Sequence, residues 1–425
     1  MIRSVPPAPE IADDPIADPV AAEVRARGTL PVLDSMRGLA ALGVLTTHVG
    51  YWSGAYTYRG YGMALARLDI GVAIFFVLSG FLLSRPWFEH RDHLTRPPRT
   101  TVYFWHRFLR IYPVYLVAAI AALTLLPRND DASLGTVLQT LTLTNVYISG
   151  EEPAGLSQMW SLSTEVAFYL VLPLLMWVTL SRRRGGAPGR SRLGIVLGAM
   201  LVGNVVWIAA TIHGLGPEWS RTGNWLPAYL TWFGIGLLLA ACTTRLEAGR
   251  DDAASSPRVA EALARMGRSP GACWVAALAL FAVAATPVAG SYALVAPLAG
   301  TAVTKNLLYA ASAGLIILPG IFADPASRYV RVFSLRPLRH LGRISYGIFC
   351  VHLVVLELVA RWRDIELFHG RAFELFALTT VLSIAVAEVL YRLVERPSLR
   401  WKNRFDRSGS IASPTATPSP ANASS

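Results

Sequence analysis

The chain has 425 residues, 53% of them hydrophobic and only 16% charged, and its mean hydropathy is +0.43. That balance excludes an ordinary water-soluble domain of this length. The formal net charge of +12 invites a nucleic-acid partner, but 37 of the 39 basic residues are Arg and, as shown below, their placement follows membrane topology instead.

Residues 1–30 are rich in Ala, Pro and acidic side chains and lack the basic start and apolar core of a secretory signal, so they are expected to form a disordered cytoplasmic leader. From there to residue 400, apolar runs of about 20 residues recur, each long enough to cross ~30 Å of hydrocarbon. They do not alternate with period two as barrel strands would, and a helix satisfies its own backbone groups in lipid. The expected fold is therefore all-α, a polytopic membrane helix bundle of about ten transmembrane helices, forming one domain over 31–400. The spans are predicted at 35–53, 70–88, 108–126, 159–180, 193–213, 225–243, 271–289, 306–323, 341–360 and 373–394. With the N-terminus inside, 31 of the 39 Lys and Arg fall on the cytoplasmic side, which is the positive-inside asymmetry. This predicts a multi-pass plasma-membrane protein with both termini cytoplasmic, and it makes nucleic-acid binding unnecessary. Cys242, Cys273 and Cys350 each fall within a predicted span, as packing residues with neither disulfide nor metal spacing.

A polar group inside hydrocarbon is expensive unless it has a partner or a wet cavity, so intramembrane polar residues are functional candidates. In the first span, "LDSMRGLAALGVLTTH" sets Arg37 and His48 eleven residues apart, on one helix face and about 16 Å apart along the axis. Arg37 is expected near the cytoplasmic boundary and His48 in the outer half of the bilayer. The second span carries Ser79 and Gly80 at its middle, where small residues permit close helix approach and a hydroxyl can bond across. The basic, aromatic-rich link that follows leads to Arg107 and Arg110, one helical turn apart, two guanidinium forks able to grip a phosphate.

The outside link 127–158 holds an apolar stretch, Leu134 to Ile148, too short to span and expected to be re-entrant or interfacial, over the outer mouth. The fourth span, "QMWSLSTEVAFYLVLPLL", sets Glu165 about a turn inside the outer boundary, after Trp160, Ser161 and Ser163. A carboxylate there, in the same half of the membrane as His48, is placed to orient that histidine or hold its imidazolium. The inside link 244–270 reads either as an amphipathic surface helix or as a solvated connector. The ninth span, "LGRISYGIFCVHLVVLELV", contributes Tyr346, His352 and Glu357, and the tenth Glu388. Glu357 and Glu388 are expected to pair with the basic groups around Arg361, Arg363 and Arg392. Residues 401–425, rich in Ser, Thr, Pro and Ala beyond the first few, read as a disordered cytoplasmic tail.

Five separated motifs, "LDSMRGLAALGVLTTH", "FFVLSGFLL", "RFLRIYPVYL", "MWSLSTEVAFYLVLPLL" and "LGRISYGIFCVH", with "LVERP" closing the domain, resemble the acyltransferase-3 family of membrane O-acyltransferases over 33–400. The resemblance implies transfer of a short acyl group from acyl-coenzyme A, without a metal, to a sugar or similar hydroxyl. It implies His48 as the catalytic histidine, Arg37 as its motif partner, Glu165 as the essential acid, and Arg107 and Arg110, with Tyr112, at the donor. Ser79, Trp160, Ser161, Ser163, Tyr346 and His352 are then expected to line the cavity. Two departures stand out: His106 replaces the first of a paired arginine, and Val166 and Ala167 follow Glu165 where the family often has a second acid and a Gln. Some relatives add a soluble esterase-like domain, in place of which this sequence has a short tail.

The expected mechanism docks the acyl-coenzyme A head group on the inner arginines, with His48 as general base and Glu165 supporting its imidazolium. Two alternatives stay open. One keeps the chemistry and moves the acceptor to a macrolide or other polyketide-type product. The other is a transporter or flippase for a sugar or lipid-linked glycan, using the same polar groups without covalent chemistry.

Overall fold

A computed structural model describes residues 30–401, apart from 59, 93–94, 96–97, 182–191, 215–221, 249–256 and 292–296. The predicted leader and tail, save Leu30 and Trp401, therefore lie outside the described residues. All regular elements among the described residues are helical: α1 (Pro31–Trp52), α2 (Gly62–Arg67), α3 (Ile70–Arg91), α4 (Thr100–Leu125), α5 (Leu134–Leu141), α6 (Trp160–Leu180), α7 (Arg192–Gly214), α8 (Leu230–Ala248), α9 (Pro257–Gly267), α10 (Pro270–Ala284), α11 (Ala299–Phe322), α12 (Arg328–Phe333), α13 (Arg336–Trp362), α14 (Ala372–Leu390) and α15 (Arg396–Arg400). Each of the ten predicted spans falls on one of these helices.

The predicted polytopic helix bundle is present, and the count of long apolar helices comes close to the ten expected. Among the described residues, eight helices are long and apolar enough to cross a membrane, or nine if one bent pair counts as a span. The first and seventh predicted spans account for the difference. The first, α1, has the length, at 22 residues, but Asp34, Arg37 and His48 lower its hydropathy. The seventh, α10, has only 15 residues, about 22 Å at the helical rise. It is bent by 93° from α9, at a break just before Pro270, whose ring cannot continue the hydrogen-bond ladder. At its other end the predicted span 271–289 stops early. There Arg67 donates from Nε to the Ala284 carbonyl and from Nη2 to those of Ala289 and Gly290, at 2.9, 3.0 and 2.7 Å, holding the chain in a turn.

The polar α1 is tolerated because protein surrounds it. It packs most extensively against α13, with α3 on another side. Gly342 makes the α1–α13 approach possible, since a Cβ there would overlap the Asp34 carbonyl, and Gly80 and Gly236 do the same for α3 and α8. The close helix approach expected of Gly80 is present. The link predicted at 244–270, described except for 249–256, does form a helix, α9, with Ala260 and Ala264 buried and Arg258, Glu261 and Arg265 exposed on the other side. The three cysteines are buried and free.

One feature of the bundle repositions the site. α6 starts beside the middle of α13 and not at its end. The preceding turn, Ser157–Met159, sits deep, with Gln158 Nε2 donating to the Phe349 and Cys350 carbonyls at 3.4 and 3.2 Å, midway along α13. The chain before it is anchored by the Gly155 N–H on Glu357 Oε1 at 2.7 Å and by the Asn129 amide on the Ala154 carbonyl at 3.1 Å. The link before α6 thus enters the bundle and sets Glu165 in the same cavity as Arg37 and Ser79, deeper than the sequence suggests.

Candidate active site

Arg37, Ser79, Arg107, Arg110, Glu165 and Tyr346 line one cavity of about 350 Å³, with His106, Ser161 and Tyr169. Its polarity is organised around Glu165. Ser79 Oγ from α3 and Tyr169 OH, one turn on in α6 and 2.7 Å away, both donate to Oε1, which leaves Oε2 for Arg37 or a ligand. Arg37 lies within electrostatic reach of both Glu165 and Arg110. Tyr103 OH donates to the Tyr169 carbonyl at 3.2 Å, and Tyr346 OH to that of Ile111 at 2.9 Å, tying α4 to α6 and α13 around the cavity.

Arg107 and Arg110 are not equivalent. Arg110 is ion-paired with Glu395, which is 1% exposed. Glu395 stands in a π-helical turn, Tyr391–Glu395, just before Pro397, whose missing N–H leaves the Leu393 carbonyl without its usual helical donor. Arg107 Nε, by contrast, is buried without a hydrogen-bond partner. An unsatisfied guanidinium N–H on the wall of a cavity suits an anionic group such as a phosphate. The expected pair of forks is therefore one free fork and one held by a carboxylate.

The predicted meeting of His48 with Glu165 is not formed. His48 Nδ1 lies 3.0 Å from Nε2 of His352, with ring centroids 5.0 Å apart. His352 Nδ1 faces the Phe349 carbonyl at 2.8 Å and that of Ile348 at 3.2 Å. A carbonyl can only accept, so Nδ1 of His352 carries the proton and its Nε2 accepts from Nδ1–H of His48. His48 is left with an unprotonated Nε2. The reason for the missing pair is depth: the sunken start of α6 puts Glu165 at the level of Ser79 and Arg37, below the two histidines.

Other expected cavity residues divide. Ser79, Ser161 and Tyr346 line this cavity. His352 is wholly buried and lines neither it nor the second cavity described below; its ring is 6.0 Å from that of Phe349, which does line the cavity and stands between the two. Ser163 is buried and donates to the Met159 carbonyl at 3.3 Å. Tyr112, expected at the donor, points its hydroxyl to the Leu141 carbonyl at 3.2 Å and stacks on Phe108, outside the cavity lining. Glu388 pairs with Arg392 at 2.5 Å, as expected, and with His340 at 2.7 Å. Glu357 takes Gly155 N–H and Arg128 instead of Arg361 or Arg363.

Trp160 lines a second cavity of about 500 Å³, together with Asp69, Tyr229, Trp232, Lys305 and Asn306. Val72 borders both cavities. Asp69 is also within electrostatic reach of His48, and His48, like His352, is not among the residues that line either cavity. Sequence reasoning missed Asp69, Tyr169 and Glu395. Tyr169 was discoverable, since Glu and Tyr at i and i+4 share a helix face; Asp69 gave no comparable signal, because its partners lie in α11.

The acyltransferase domain model of the acyltransferase-3 family matches residues 30–392. A peptidoglycan O-acetyltransferase, OatA, of Listeria monocytogenes is 25% identical over 391 residues, covering 87% of this chain and 56% of that protein. A putative peptidoglycan O-acetyltransferase, YrhL, of Bacillus subtilis is likewise 25% identical over 394 residues, covering 87% and 54%. An acyltransferase, MdmB, of Streptomyces mycarofaciens is 32% identical over 166 residues, 36% of this chain and 40% of that one. The chain thus spans about half the length of the curated relatives it matches. No solved structure matches it. With the motifs in order and the family model covering most of its length, this helical membrane protein belongs to the acyltransferase-3 family.

Proposed function

We propose that the protein is an integral membrane O-acyltransferase that moves an acyl group from acyl-coenzyme A to a hydroxyl of a carbohydrate or related cell-surface or secreted acceptor, with both termini on the cytoplasmic side of the plasma membrane. The observation that carries this reading is the hydrogen-bonded pair His48–His352, which leaves His48 Nε2 unprotonated as a base. The peptidoglycan O-acetyltransferases among the relatives favour a carbohydrate acceptor.

In this mechanism Arg107 and Arg37 bind the phosphates of the donor, and Arg110, held by Glu395, adds to the positive field. Glu165, fixed by Ser79 and Tyr169, positions Arg37 and does not touch the reacting histidine. His48 Nε2 takes the proton of the acceptor hydroxyl, whose oxygen attacks the thioester carbonyl. The C–O bond forms, the C–S bond breaks, and the thiolate leaves with the proton that His48 returns. His352 holds His48 in the required tautomer and accepts part of the imidazolium charge through its Nε2.

The test is incubation of the purified protein in lipid nanodiscs with labelled acetyl-, propionyl-, succinyl- and longer acyl-coenzyme A plus envelope glycans, read by mass spectrometry. Label covalently attached to glycan hydroxyls is expected. Movement of unmodified glycan across a proteoliposome membrane, with no label transferred, would support the transporter reading instead.

A further inference from the structure

The second cavity differs in its chemistry from the first. Both cations among its described lining residues are already engaged. Arg67 is spent on the carbonyls of Ala284, Ala289 and Gly290. Lys305 Nζ is 2.7 Å from Asp69 Oδ2 and lies over the Tyr309 ring. No guanidinium on its wall resembles Arg107, so a phosphate would find no free positive charge among the described lining residues.

Its aromatic side is set out differently. Trp160 stacks on Tyr229 with ring centroids 5.1 Å apart, and Tyr229 is 4.8 Å from Trp232. Trp232 Nε1 is tied to the Asn306 carbonyl at 2.9 Å and Tyr229 OH to Asn224 Oδ1 at 3.3 Å. The half-buried Trp160 and Tyr229 line the cavity as a stacked aromatic pair. Asn306, 6% exposed, uses its amide N–H on the Ala228 carbonyl at 2.9 Å, and its Oδ1 is buried with no partner. A lone acceptor on a cavity wall asks for an O–H or N–H from a ligand.

We propose that this cavity is the acceptor site and that it takes a neutral pyranose unit, its C–H face on Trp160 and Tyr229 and a hydroxyl or amide N–H donating to Asn306 Oδ1. The assignment rests on the acyl-transfer reading above for its role, and on the cavity alone for its ligand. It places the sugar in the cavity lined by Asp69, which is within electrostatic reach of His48. A phosphorylated sugar is disfavoured, since its charge would find no free cation among the described lining residues.

The experiment measures binding and transfer separately, on the full chain in lipid nanodiscs free of glycoside detergent. The probes are a neutral N-acetylglucosamine tetramer and glucose 6-phosphate, with acetyl-coenzyme A as donor. Wild type is expected to bind the tetramer at least tenfold more tightly than the phosphorylated sugar. Trp160→Ala and Asn306→Leu are each expected to weaken tetramer binding about tenfold, with the KM for acetyl-coenzyme A unchanged within twofold. Trp160→Phe, which keeps a ring face, is expected to stay within about threefold of wild type and so controls for misfolding. Wild type that ignores the tetramer, that prefers the phosphorylated sugar, or whose tetramer binding survives both substitutions overturns the site. Normal tetramer binding with no transfer from any acyl donor overturns the acyl-transfer reading and leaves the sugar site standing.

Discussion

His48 and His352 are joined by one N–H···N hydrogen bond of 3.0 Å that bridges α1 and α13, and the carbonyls at the other side of His352 decide its direction. A neutral histidine here does what a carboxylate does in a serine-protease-like arrangement: it fixes the tautomer of its neighbour. It does so without adding a negative charge in hydrocarbon, where an unpaired carboxylate is costly. Glu165 is thereby free to serve the cavity below.

The two arginines one turn apart in α4 should fail in different ways. Arg107→Ala removes a guanidinium whose Nε has no protein partner, so the folded protein should persist while KM for the acyl-coenzyme A donor rises about tenfold or more. Arg110→Ala strands the buried Glu395 and should cost about 3 kcal/mol of stability, seen as reduced yield and a lower thermal midpoint. Steady-state kinetics and fluorescence-detected size exclusion on both variants check this. Equal stability losses in the two would contradict the split.

Outside the spans, burial pushes the Glu152 carboxyl up to about 7, even though it accepts a 2.8 Å bond from Asn145 Nδ2 that favours the charged form. A carboxyl whose folded-state pKa is raised binds more protons folded than unfolded between its ordinary value and about 7. Stability therefore falls as pH rises through that window and levels off above it. The thermal midpoint of wild type should drop by a few degrees from pH 5 to pH 8. Glu152→Gln keeps an acceptor for Asn145 and should flatten the dependence; an unchanged slope in the variant would rule Glu152 out as its source.

Gly342 is where α13 crosses α1, and a methyl group there would overlap the Asp34 carbonyl. Gly342→Ala should therefore separate the two helices that carry the histidine pair. Loss of most monodisperse protein is expected, whereas Gly198→Ala on α7, where a Cβ meets nothing within 4 Å, should leave the yield unchanged. Comparable yields for the two variants would show that the crossing tolerates displacement.

The helices were legible because runs of Leu, Val, Ala and Phe have no other stable state in lipid, and each predicted span falls on a helix. What failed was depth and length. The 15-residue α10 borrows apolar sequence from a turn that Arg67 organises, and no local pattern announces a carbonyl partner more than 200 residues away. Glu165 was identified as an intramembrane acid from its type alone, but its level depended on Gln158 reaching the middle of α13. The Arg37–His48 spacing was readable from helical periodicity. His352 as the partner of His48 was not, because only the α1–α13 crossing at Gly342 brings the two together.

The most direct measurement is a double-mutant cycle on acyl transfer with His48→Ala, His352→Ala and the pair, each purified in nanodiscs. If His352 acts through His48, His48→Ala lowers kcat by about 10³-fold and His352→Ala by about 10²-fold. The double variant is then no slower than His48→Ala, and the donor KM stays near wild type throughout. Losses that multiply in the double variant, or a His48→Ala protein that keeps most of its activity, would contradict the histidine pair as the proton-transfer unit.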